Sequence, residues 1–593
     1  MPDDLQPTTP DPAHASDPSA RQPPSPISAP PPPEGAPSAI PSGGGGKPTD
    51  ETIKETLESI IIAFALAFVF RAFVVEAFVI PTGSMAPTLL GQHLRFKCDQ
   101  CGYRYDTDAS ERATAGAAIQ TTCPMCYWPN RVTLATRTGS GDRILVQKYA
   151  YSFTEPRRWD VVVFKNPRYR INNRDDAPGP RQNYIKRLVG LPGEQVAILE
   201  GDLYVAREGQ PFRIARKIDA RANPRWRDIQ DAVWQPIYHS RYIPLDGGDG
   251  SLDRRKRRWA CPWEPKHGQW LTEDRRSYRL RQTDEQNRGT LTFRFAPPEG
   301  SDFGPASSVV RYPYNQTSDS FPTSKYAYNI DDPQRAVWDA IEDIRLAVNV
   351  NFDQPETTLR LRTTARRAGA PEPIVAELGS DGAMTLRWGG DVIAGPMRVK
   401  GVRPGRTAAV ELWHVDQSVL LWVDGALVAD HRLELTWDQV VRRPPIEHVP
   451  EVSMQVEGGP ATLYQVELDR DLYYGARDQH SGLAHGAFTR GGPRQIATGE
   501  AVDLAADEFF VIGDNGPISD DARFWNTTTR GEADLHPWIE ATMFADDQRS
   551  HVGRVPRRLM VGRAFFVYYP APFQLEPEAP GVFPNFGRMR LIY

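Results

Sequence analysis

Residues 183–194 read NYIKRLVGLPGE and place Lys186 in the middle of an apolar run rich in β-forming residues. A lysine in such a strand either reaches water or is desolvated, and desolvation lowers its pKa. Similar short runs recur along the chain between Gly, Pro and polar turn residues, at 77–80, 143–147, 160–164, 195–198, 509–512 and 564–569. The sequence therefore predicts a mainly β protein with one chemically unusual lysine.

A serine in a rigid loop precedes this strand by about a hundred residues. Residues 80–89 read IPTGSMAPTL, which sets Ser84 directly after a glycine and between two prolines. A serine in such a loop is usually only a turn residue. A neutral amine on Lys186, however, could remove the hydroxyl proton of Ser84 and activate it for covalent acyl transfer. The two residues together indicate a Ser-Lys hydrolase.

The N-terminal part of the chain divides into a tail and an apolar segment. Residues 1–50 contain 15 prolines and no aromatic residue, so they cannot bury enough apolar surface to offset backbone ordering, and we expect a disordered tail. Between Ser59 and Val75 the only polar residues are Ser59 and Arg71, which predicts a transmembrane helix over 53–75. A buried core helix is the alternative. Acidic residues outnumber basic ones before the segment, so charge does not fix its orientation.

Four of the five cysteines form two Cys-x-x-Cys pairs. The pairs are Cys98 with Cys101 and Cys123 with Cys126, and the spacing resembles a zinc ribbon over 98–130. Four thiolates would leave no open coordination position, so the zinc would be structural and catalysis would need no cofactor. Disulfides are the competing interpretation.

A long β-patterned segment, 205–500, separates the runs described above. Residues 411–415 and 419–423 alternate around a short turn, and further strand patterns precede them, which predicts an inserted β-sandwich. Residues 411–429 resemble strands of laminin-G or concanavalin-like sandwiches, folds that often bind glycans or proteins. The ligand of the insertion is not apparent from the sequence, and a spacer or docking module without a ligand remains open.

The charge pattern argues against a nucleic-acid partner. The formal net charge is −5, and the densest basic run, 254–258, has no helical pattern or interleaved aromatic residues. We interpret this run as a solvated loop.

Residues 509–523 read FFVIGDNGPISDDAR and form a third conspicuous block, after those at 80–89 and 183–194. With the blocks at 80–89 and 183–194, and with 141–148, 156–164 and 561–566, it resembles the bacterial type I signal peptidase family over about 200 residues in family order. The resemblance implies a β catalytic body behind a single transmembrane helix, built from residues 76–97, 131–204 and 501–593. The third block departs from the usual family pattern at two places, residues 516–518 and Ala522.

The resemblance also implies a role for individual residues. Ser84 would be the nucleophile and Lys186 the base, while Ser519 would orient the amine of Lys186. The hydroxyl of Thr82 and the backbone N–H of Ser84 would form the oxyanion hole. Three residues would support the neighbouring loop: Asp514, Asp521 and Arg523.

The same resemblance implies partners and a location. The substrates would be signal peptides of exported preproteins, cleaved after small residues at the lipid surface. The chain would cross the inner membrane once, with its catalytic domain on the extracytoplasmic side. Two alternatives remain: a membrane-tethered binding protein that uses a degenerate peptidase scaffold to present the sandwich, and a self-cleaving repressor-type Ser-Lys protease. The apolar segment and the lack of a DNA-binding pattern argue against the second.

Overall fold

A computed structural model describes the chain from residue 50 to residue 593 with gaps. The described residues exclude 99–100, 109–118, 124, 126–128, 133–135, 168–181, 220–225, 243–250, 253–256, 259–260, 272–275, 295–340, 447–449, 476, 479–481, 484–485, 490–497, 517–518, 526–552, 574–580 and 582. Of the tail expected at 1–50, residues 1–49 lie outside them and Asp50 begins the first helix; the fourth predicted zinc ligand, Cys126, also lies outside them.

Strands dominate the described residues, which confirms a mainly β protein. Up to residue 214 the elements are α1 (Asp50–Phe73), β1 (Val75–Val79), β2 (His93–Lys97), β3 (Arg104–Asp108), β4 (Ile119–Thr122), β5 (Pro129–Val132), β6 (Thr138–Gly139), β7 (Arg143–Gln147), α2 (Ala150–Phe153), β8 (Val161–Lys165), β9 (Asn183–Gly190), β10 (Glu194–Leu199), β11 (Asp202–Arg207) and β12 (Arg213–Ile214).

The middle of the chain contributes the largest number of strands. They are, with their helices, α3 (Trp226–Val233), β13 (Gln235–His239), β14 (Ser251–Leu252), β15 (Arg257–Arg258), β16 (Trp263–His267), β17 (Gln269–Leu271), β18 (Ser277–Gln282), β19 (Arg288–Phe293), β20 (Ile344–Phe352), β21 (Thr358–Arg366), β22 (Pro371–Gly379), β23 (Ala383–Trp388), β24 (Asp391–Arg398), β25 (Ala408–Val415), β26 (Ser418–Val423), β27 (Ala426–Arg432), α4 (Trp437–Arg442), β28 (Ser453–Glu457) and β29 (Ala461–Arg470).

The last part of the chain returns to short strands. They are β30 (Arg477–Asp478), β31 (Gly482–Leu483), β32 (Ala487–Thr489), β33 (Thr498–Gly499), β34 (Val502–Asp503), β35 (Glu508–Ile512), β36 (Val555–Pro556), β37 (Met560–Tyr569) and β38 (Arg590–Leu591).

The apolar N-terminal segment forms helix α1, as its composition predicts. The helix covers Asp50–Phe73 rather than 53–75, and the chain is already extended at Val75, where β1 begins. Among the residues that the structure describes, no helix combines the length and the hydropathy of a membrane-crossing segment. The predicted transmembrane helix is therefore not confirmed.

Lys186 and the third sequence block lie side by side in one antiparallel sheet. Its strand order is β1-β7-β37-β8-β9-β35-β36, with β38 paired to β37. Strand β9 pairs with β8, where Val162 faces Lys186, and with β35, where Val511 faces Leu188. From Lys186 to Gly190 every residue of β9 is buried. Burial on both faces explains why apolar residues follow Arg187 without polar alternation.

A second sheet joins the two ends of the inserted segment. Its order is β12-β11-β10-β32-β33, with β34 also paired to β10. Val196 of β10 lies opposite both Val205 and Val502, so the chain that leaves the body and the chain that returns to it flank one strand. The sandwich strands themselves run from Gln235 to Arg470. The insertion boundaries at 205 and 500 stay a prediction.

The sandwich consists of two large antiparallel sheets. One has the order β16-β19-β28-β21-β22-β23-β24, and the other has β17-β18-β29-β20-β25-β26-β27 with β13 on β29. Buried side chains from both sheets form one core. The hairpin expected at 411–423 is formed by β25 and β26, and its two turn residues, Asp416 and Gln417, both have positive φ, which suits the right-handed twist of the strands.

Buried ion pairs join the sandwich to the body sheets. Lys217 follows β12 and contacts Asp416 at 2.6 Å and Asp471 at 2.7 Å. Arg366 of β21 contacts Glu200, in the turn between β10 and β11, at 2.8 Å. Removing one partner of such a buried pair leaves an uncompensated charge, so these contacts fix where the sandwich sits.

Candidate active site

Ser84 lies in a loop that folds back on itself between β1 and β2. The backbone N–H of Ile80 donates to Asp142 O, and that of Leu89 donates to Met85 O. A side chain at Gly91 would collide with the backbone of Thr82, so the two ends of the loop pack closely only because residue 91 is glycine. These contacts hold the loop in place, and Ser84 within it is half-buried.

Lys186 reaches Ser84 from the neighbouring sheet. Its Nζ donates a hydrogen bond to Ser84 Oγ at 2.5 Å. The Lys186 side chain is buried, and burial lowers its pKa to about 8, although the carboxylates of Asp521 and Asp520 oppose the shift. The amine is thus far easier to deprotonate than a free lysine, whose pKa is ~10.4. This is the environment that the sequence predicted for Lys186.

The third block fastens the serine loop to the sheet. The backbone N–H of Asn515 donates to Ser84 O at 3.1 Å, and its side-chain amide donates to Gly83 O at 3.1 Å. A side chain at Gly513 would collide with both Ser84 O and Ser519, so glycine is required where the loop approaches β35. The block therefore positions Ser84 against Lys186.

Ser519 lies beside the serine loop, and the orienting role that the resemblance implies for it stays a prediction. Its backbone N–H donates to Asn515 O, and its side chain packs over Gly513. Its Oγ is buried without a hydrogen-bond partner. In this structure the amine of Lys186 donates to Ser84, and the Ser519 side chain packs against Gly513.

Asp521 and Arg523 form a buried pair behind this loop. Arg523 donates to Asp521 through Nε at 2.9 Å and Nη2 at 2.8 Å, and Nη2 also donates to Gly516 O. The second carboxylate oxygen of Asp521 accepts from the backbone N–H of Gly513 at 2.9 Å. The pair ties the two sides of the third block together, which agrees with a supporting position.

Asp514 belongs to a buried cluster that sequence reasoning did not find. Arg187, next to Lys186 on β9, donates to both carboxylate oxygens of Asp514 at 2.7 Å, and Thr88 Oγ1 donates to the same carboxylate at 2.5 Å. Burial opposes the charge of Arg187, yet the facing carboxylate raises its pKa. The sequence did contain one indication of this cluster. Arg187 is a second charged residue in a buried strand, and a buried charge requires a partner.

Thr82 and the backbone amide of Ser84 are the predicted oxyanion-hole donors. Thr82 is exposed and lies two residues before the half-buried Ser84. Their role toward a substrate stays a prediction.

The cysteine pairs converge as the spacing predicted, within the part of the chain that is described. Cys98, Cys101 and Cys123 are buried, their sulfurs lie within 4.8 Å of one another, and the Cys101–Cys123 distance is 3.6 Å. A disulfide needs ~2.05 Å. Four thiolates at ~2.3 Å from a tetrahedral zinc are about 3.8 Å apart, so these three residues fit a metal.

Removal of this metal site should destabilise the protein. We expect a Cys98→Ser, Cys101→Ser double variant to lose bound zinc and to melt at a lower temperature, because metal binding contributes to folding free energy. Elemental analysis and thermal unfolding of the purified chain provide the measurements, with Cys261→Ser as the matched control. A metal-free wild-type protein without titratable thiols would instead support disulfides.

Part of the chain, including Ser84 and Lys186, matches a known family. The profile of the family described as "Signal peptidase, peptidase S26" matches residues 53–107 and 130–246, which include Ser84 and Lys186. The chain is 28% identical over 163 residues to signal peptidase I of Leptolyngbya laminosa, covering 28% of this chain and 54% of that protein. It is 29% identical over 153 residues to signal peptidase I of Buchnera aphidicola, covering 24% and 30%. The chain thus spans about half or less of these relatives, and the resemblance found from the motifs is confirmed.

Similar solved structures match the β-sandwich type of fold at low scores. A carbohydrate binding module, CBM66, from Bacillus subtilis has 9% identity and a TM-score of 0.20, covering 35% of this chain and 95% of that chain. A protein of unknown function with a galectin-like fold from Bacillus subtilis has 8% identity and a TM-score of 0.22, covering 40% and 97%. Scores of this size carry no argument about what the sandwich binds.

Proposed function

Because residues 53–107 and 130–246 match the signal peptidase S26 family, we propose that this chain is a serine endopeptidase that removes signal peptides from exported preproteins. The observation that carries the proposal is the 2.5 Å hydrogen bond from Lys186 Nζ to Ser84 Oγ. A base must lie within hydrogen-bond reach of the proton it abstracts, and this pair satisfies that condition without rearrangement.

The proposed reaction proceeds through an acyl-enzyme. The neutral amine of Lys186 accepts the hydroxyl proton as Ser84 Oγ bonds to the scissile carbonyl carbon. The developing oxyanion is bound by the backbone N–H of Ser84 and the hydroxyl of Thr82. Lys186 then returns its proton to the leaving amine, and a water molecule, deprotonated by Lys186, hydrolyses the ester.

The surroundings of the dyad support this cycle. Burial keeps the pKa of Lys186 near 8, so the amine can gain and lose a proton near neutral pH. Asn515 holds the backbone of Gly83 and Ser84, which keeps the nucleophile in place during both steps. We assign Asp514, Asp521 and Arg523 to the support of this arrangement.

Substrate and location belong to the same proposal. As in the family, cleavage would follow a small residue, with another small residue two positions earlier. The apolar run Ser59–Val75 would anchor the chain in the inner membrane, with the catalytic body on the extracytoplasmic side. The cysteine site, with a structural zinc, takes no part in the hydrolysis.

The test is cleavage of an exported preprotein by the purified chain in detergent. We expect one cut at the end of the signal peptide, identified by N-terminal sequencing of the product, and a loss of at least ~10³-fold in kcat/KM for Ser84→Ala. Ser152→Ala, in the exposed helix α2, is the matched control and should retain full activity. Cleavage that survives Ser84→Ala would refute the proposal, and no cleavage by the wild-type chain would favour a binding protein on a degenerate scaffold.

A further inference from the structure

The loop that carries Ser84 is closed at both ends by one residue, Asp142, which lies just before β7. The backbone N–H of Ile80 donates to Asp142 O at 3.0 Å, and the N–H of Asp142 donates to Leu90 O at 2.9 Å. The Asp142 carboxylate also accepts from the N–H of Leu90 at 3.0 Å. A side chain at Gly141 would collide with Ile80 O, so the closure is tight. The position of the loop therefore depends on how firmly Asp142 is held.

Asp142 is fully buried, and Arg590 of β38 compensates its charge. The carboxylate accepts a hydrogen bond from the N–H of Ala571 at 3.0 Å, and Arg590 Nη2 lies 3.7 Å from it. Within the described residues, no other cation forms an ion pair with this carboxylate. Because a buried carboxylate is costly without a compensating positive charge, Arg590 stabilises Asp142 in its place at the base of the loop.

The same guanidinium holds the loop a second time, at Thr88. Arg590 Nη2 donates to Thr88 O at 2.6 Å, while the Thr88 hydroxyl donates to Asp514. Thr88 is thus fixed between β38 and the third block. The next residue, Leu89, donates its backbone N–H at 2.8 Å to the carbonyl of Met85, which directly follows the nucleophile. A single hydrogen-bonded turn therefore connects the contact at Thr88 to the position of the nucleophile.

Arg590 acts from a rigid element of the body. Strand β38 pairs with β37, where Arg590 lies opposite Val567, and the N–H of Ile592 donates to Phe565 O at 2.9 Å. Arg590 Nη1 donates to Arg588 O at 3.0 Å, which fixes the orientation of the guanidinium. A group held in this way on a sheet can position its partners more precisely than a group on a free loop.

The residues that follow β38 also contact the strand of the base. Tyr593 O accepts a hydrogen bond from Arg187 Nη1 at 2.9 Å, and Arg187 is the neighbour of Lys186 on β9. The segment 590–593 therefore contacts the loop of the nucleophile on one side and the strand of the base on the other.

We propose that Arg590 is a positioning residue for the hydrolysis, because it holds the loop that carries Ser84 at a fixed distance from Lys186. It does not contact the reacting atoms and acts only through Thr88 and Asp142. A small displacement of a nucleophile lowers the rate of the chemical step more than it lowers the affinity for substrate. The inference rests on the proposed function, and it adds a residue that lies outside the three sequence blocks.

Steady-state cleavage of a preprotein by Arg590→Met, calculated per folded enzyme, tests the proposal. Met keeps much of the length of the side chain but has neither its charge nor its donors. We expect kcat to fall by about tenfold or more and KM to change by less than about twofold. Arg590→Lys keeps the positive charge and a donor, and its kcat should return to within about threefold of the wild type.

Arg588→Met is the matched control. Arg588 lies in the same segment and is 33% exposed, compared with 34% for Arg590. Its side chain contacts Asp106 at 3.7 Å instead of the loop that carries Ser84. The control variant should therefore cleave as the wild type does.

Hydrogen exchange of the loop gives a readout that does not depend on cleavage. The amides of Leu89 and Leu90 are hydrogen-bonded within the loop and to Asp142. We expect both amides to exchange about tenfold faster or more in Arg590→Met and at the wild-type rate in Arg588→Met. Where Arg590→Met fails to fold, Arg590→Gln takes its place, since it keeps a polar amide, and both measurements should change by about threefold or more.

Four results would overturn the proposal: wild-type kcat in the folded Met or Gln variant at position 590, a rise in KM without a fall in kcat, unchanged exchange of the loop amides, or an equal loss of activity in Arg588→Met. Each of them leaves the proposed hydrolysis intact as long as the wild-type chain cleaves. A wild-type chain that does not cleave refutes the proposed function and, with it, the role of Arg590 in the reaction.

Discussion

Replacing Lys186 by Met should reduce kcat for preprotein cleavage by about 10³-fold or more, because Ser84 then has no base to accept its proton. Met preserves the length and the apolar contacts of the buried stem, so the loss reports the amine rather than the packing. The measurement is steady-state cleavage of the preprotein, with the amount of folded enzyme determined independently by circular dichroism.

The same amine sets the pH dependence of the wild-type enzyme. Lys186 is the base only when neutral, and its pKa is about 8. Below that pH we expect kcat/KM to fall about tenfold per pH unit, and above it to level off. Four charged groups act on this pKa: Asp521, Asp520 and Asp514 raise it, and Arg523 lowers it.

Lys186→Met should also make the protein more stable at pH 7. The folded-state pKa lies below that of an unfolded lysine, so the unfolded chain binds more protons between about pH 8 and pH 10.5, and wild-type stability rises with pH across that window. Below about pH 8 the lowered pKa of Lys186 reduces the free energy of unfolding of the wild type by its full amount, on the order of 3 kcal/mol. The variant avoids this cost, so its advantage in unfolding free energy should shrink as pH approaches 10.5.

An exposed lysine supplies the control. Lys400→Met, in the sandwich, should alter neither cleavage nor the pH dependence of stability. A Lys186→Met enzyme that still cleaves, or one that is less stable than the wild type at pH 7 and shows no pH-dependent difference, would contradict a buried lysine base.

Asp514→Ala should destabilise the fold by about 3–5 kcal/mol, because it leaves Arg187 buried without its carboxylate. The two side chains are fully buried and joined by two hydrogen bonds of 2.7 Å. Thr88 loses its acceptor at the same time. Since Arg187 neighbours Lys186 and Asp514 neighbours Asn515, we also expect reduced cleavage. Denaturant unfolding at pH 7 gives the measurement.

A double variant separates charge from packing. In Asp514→Ala, Arg187→Met both charges of the pair are removed, and part of the lost stability should return. Asp503→Ala removes an exposed carboxylate from the same body and should change stability by less than about 0.5 kcal/mol. A change of similar size in Asp514→Ala would show that the Arg187–Asp514 pair contributes little to the fold.

The pairing of Ser84 with Lys186 was predictable from sequence because a lysine in an apolar strand is unusual and gives a function to a serine that alone would indicate only a turn. Both signals are local features of the sequence. The partner of Arg187, by contrast, is more than 300 residues away, and its identity depends on β35 lying beside β9. A single sequence shows that a buried charge needs a partner but does not show which one.

The orientation of the Ser519 side chain could not be predicted for the same reason. It depends on packing against Gly513, which no motif encodes, and the role of Ser519 toward Lys186 stays a prediction. The sandwich hairpin at 411–423 was predictable from strand alternation around a short turn.

Strand β10 has a consequence for the order of assembly. Strands β9 and β35 must find each other across roughly 320 residues, and closing so long a loop is entropically costly and slow. Once the sandwich has folded, however, its first and last residues pair, Gln235 with Arg470, and the segments that lead away from them both reach β10. We therefore expect mutations that slow the formation of the sandwich to delay the pairing of β9 with β35.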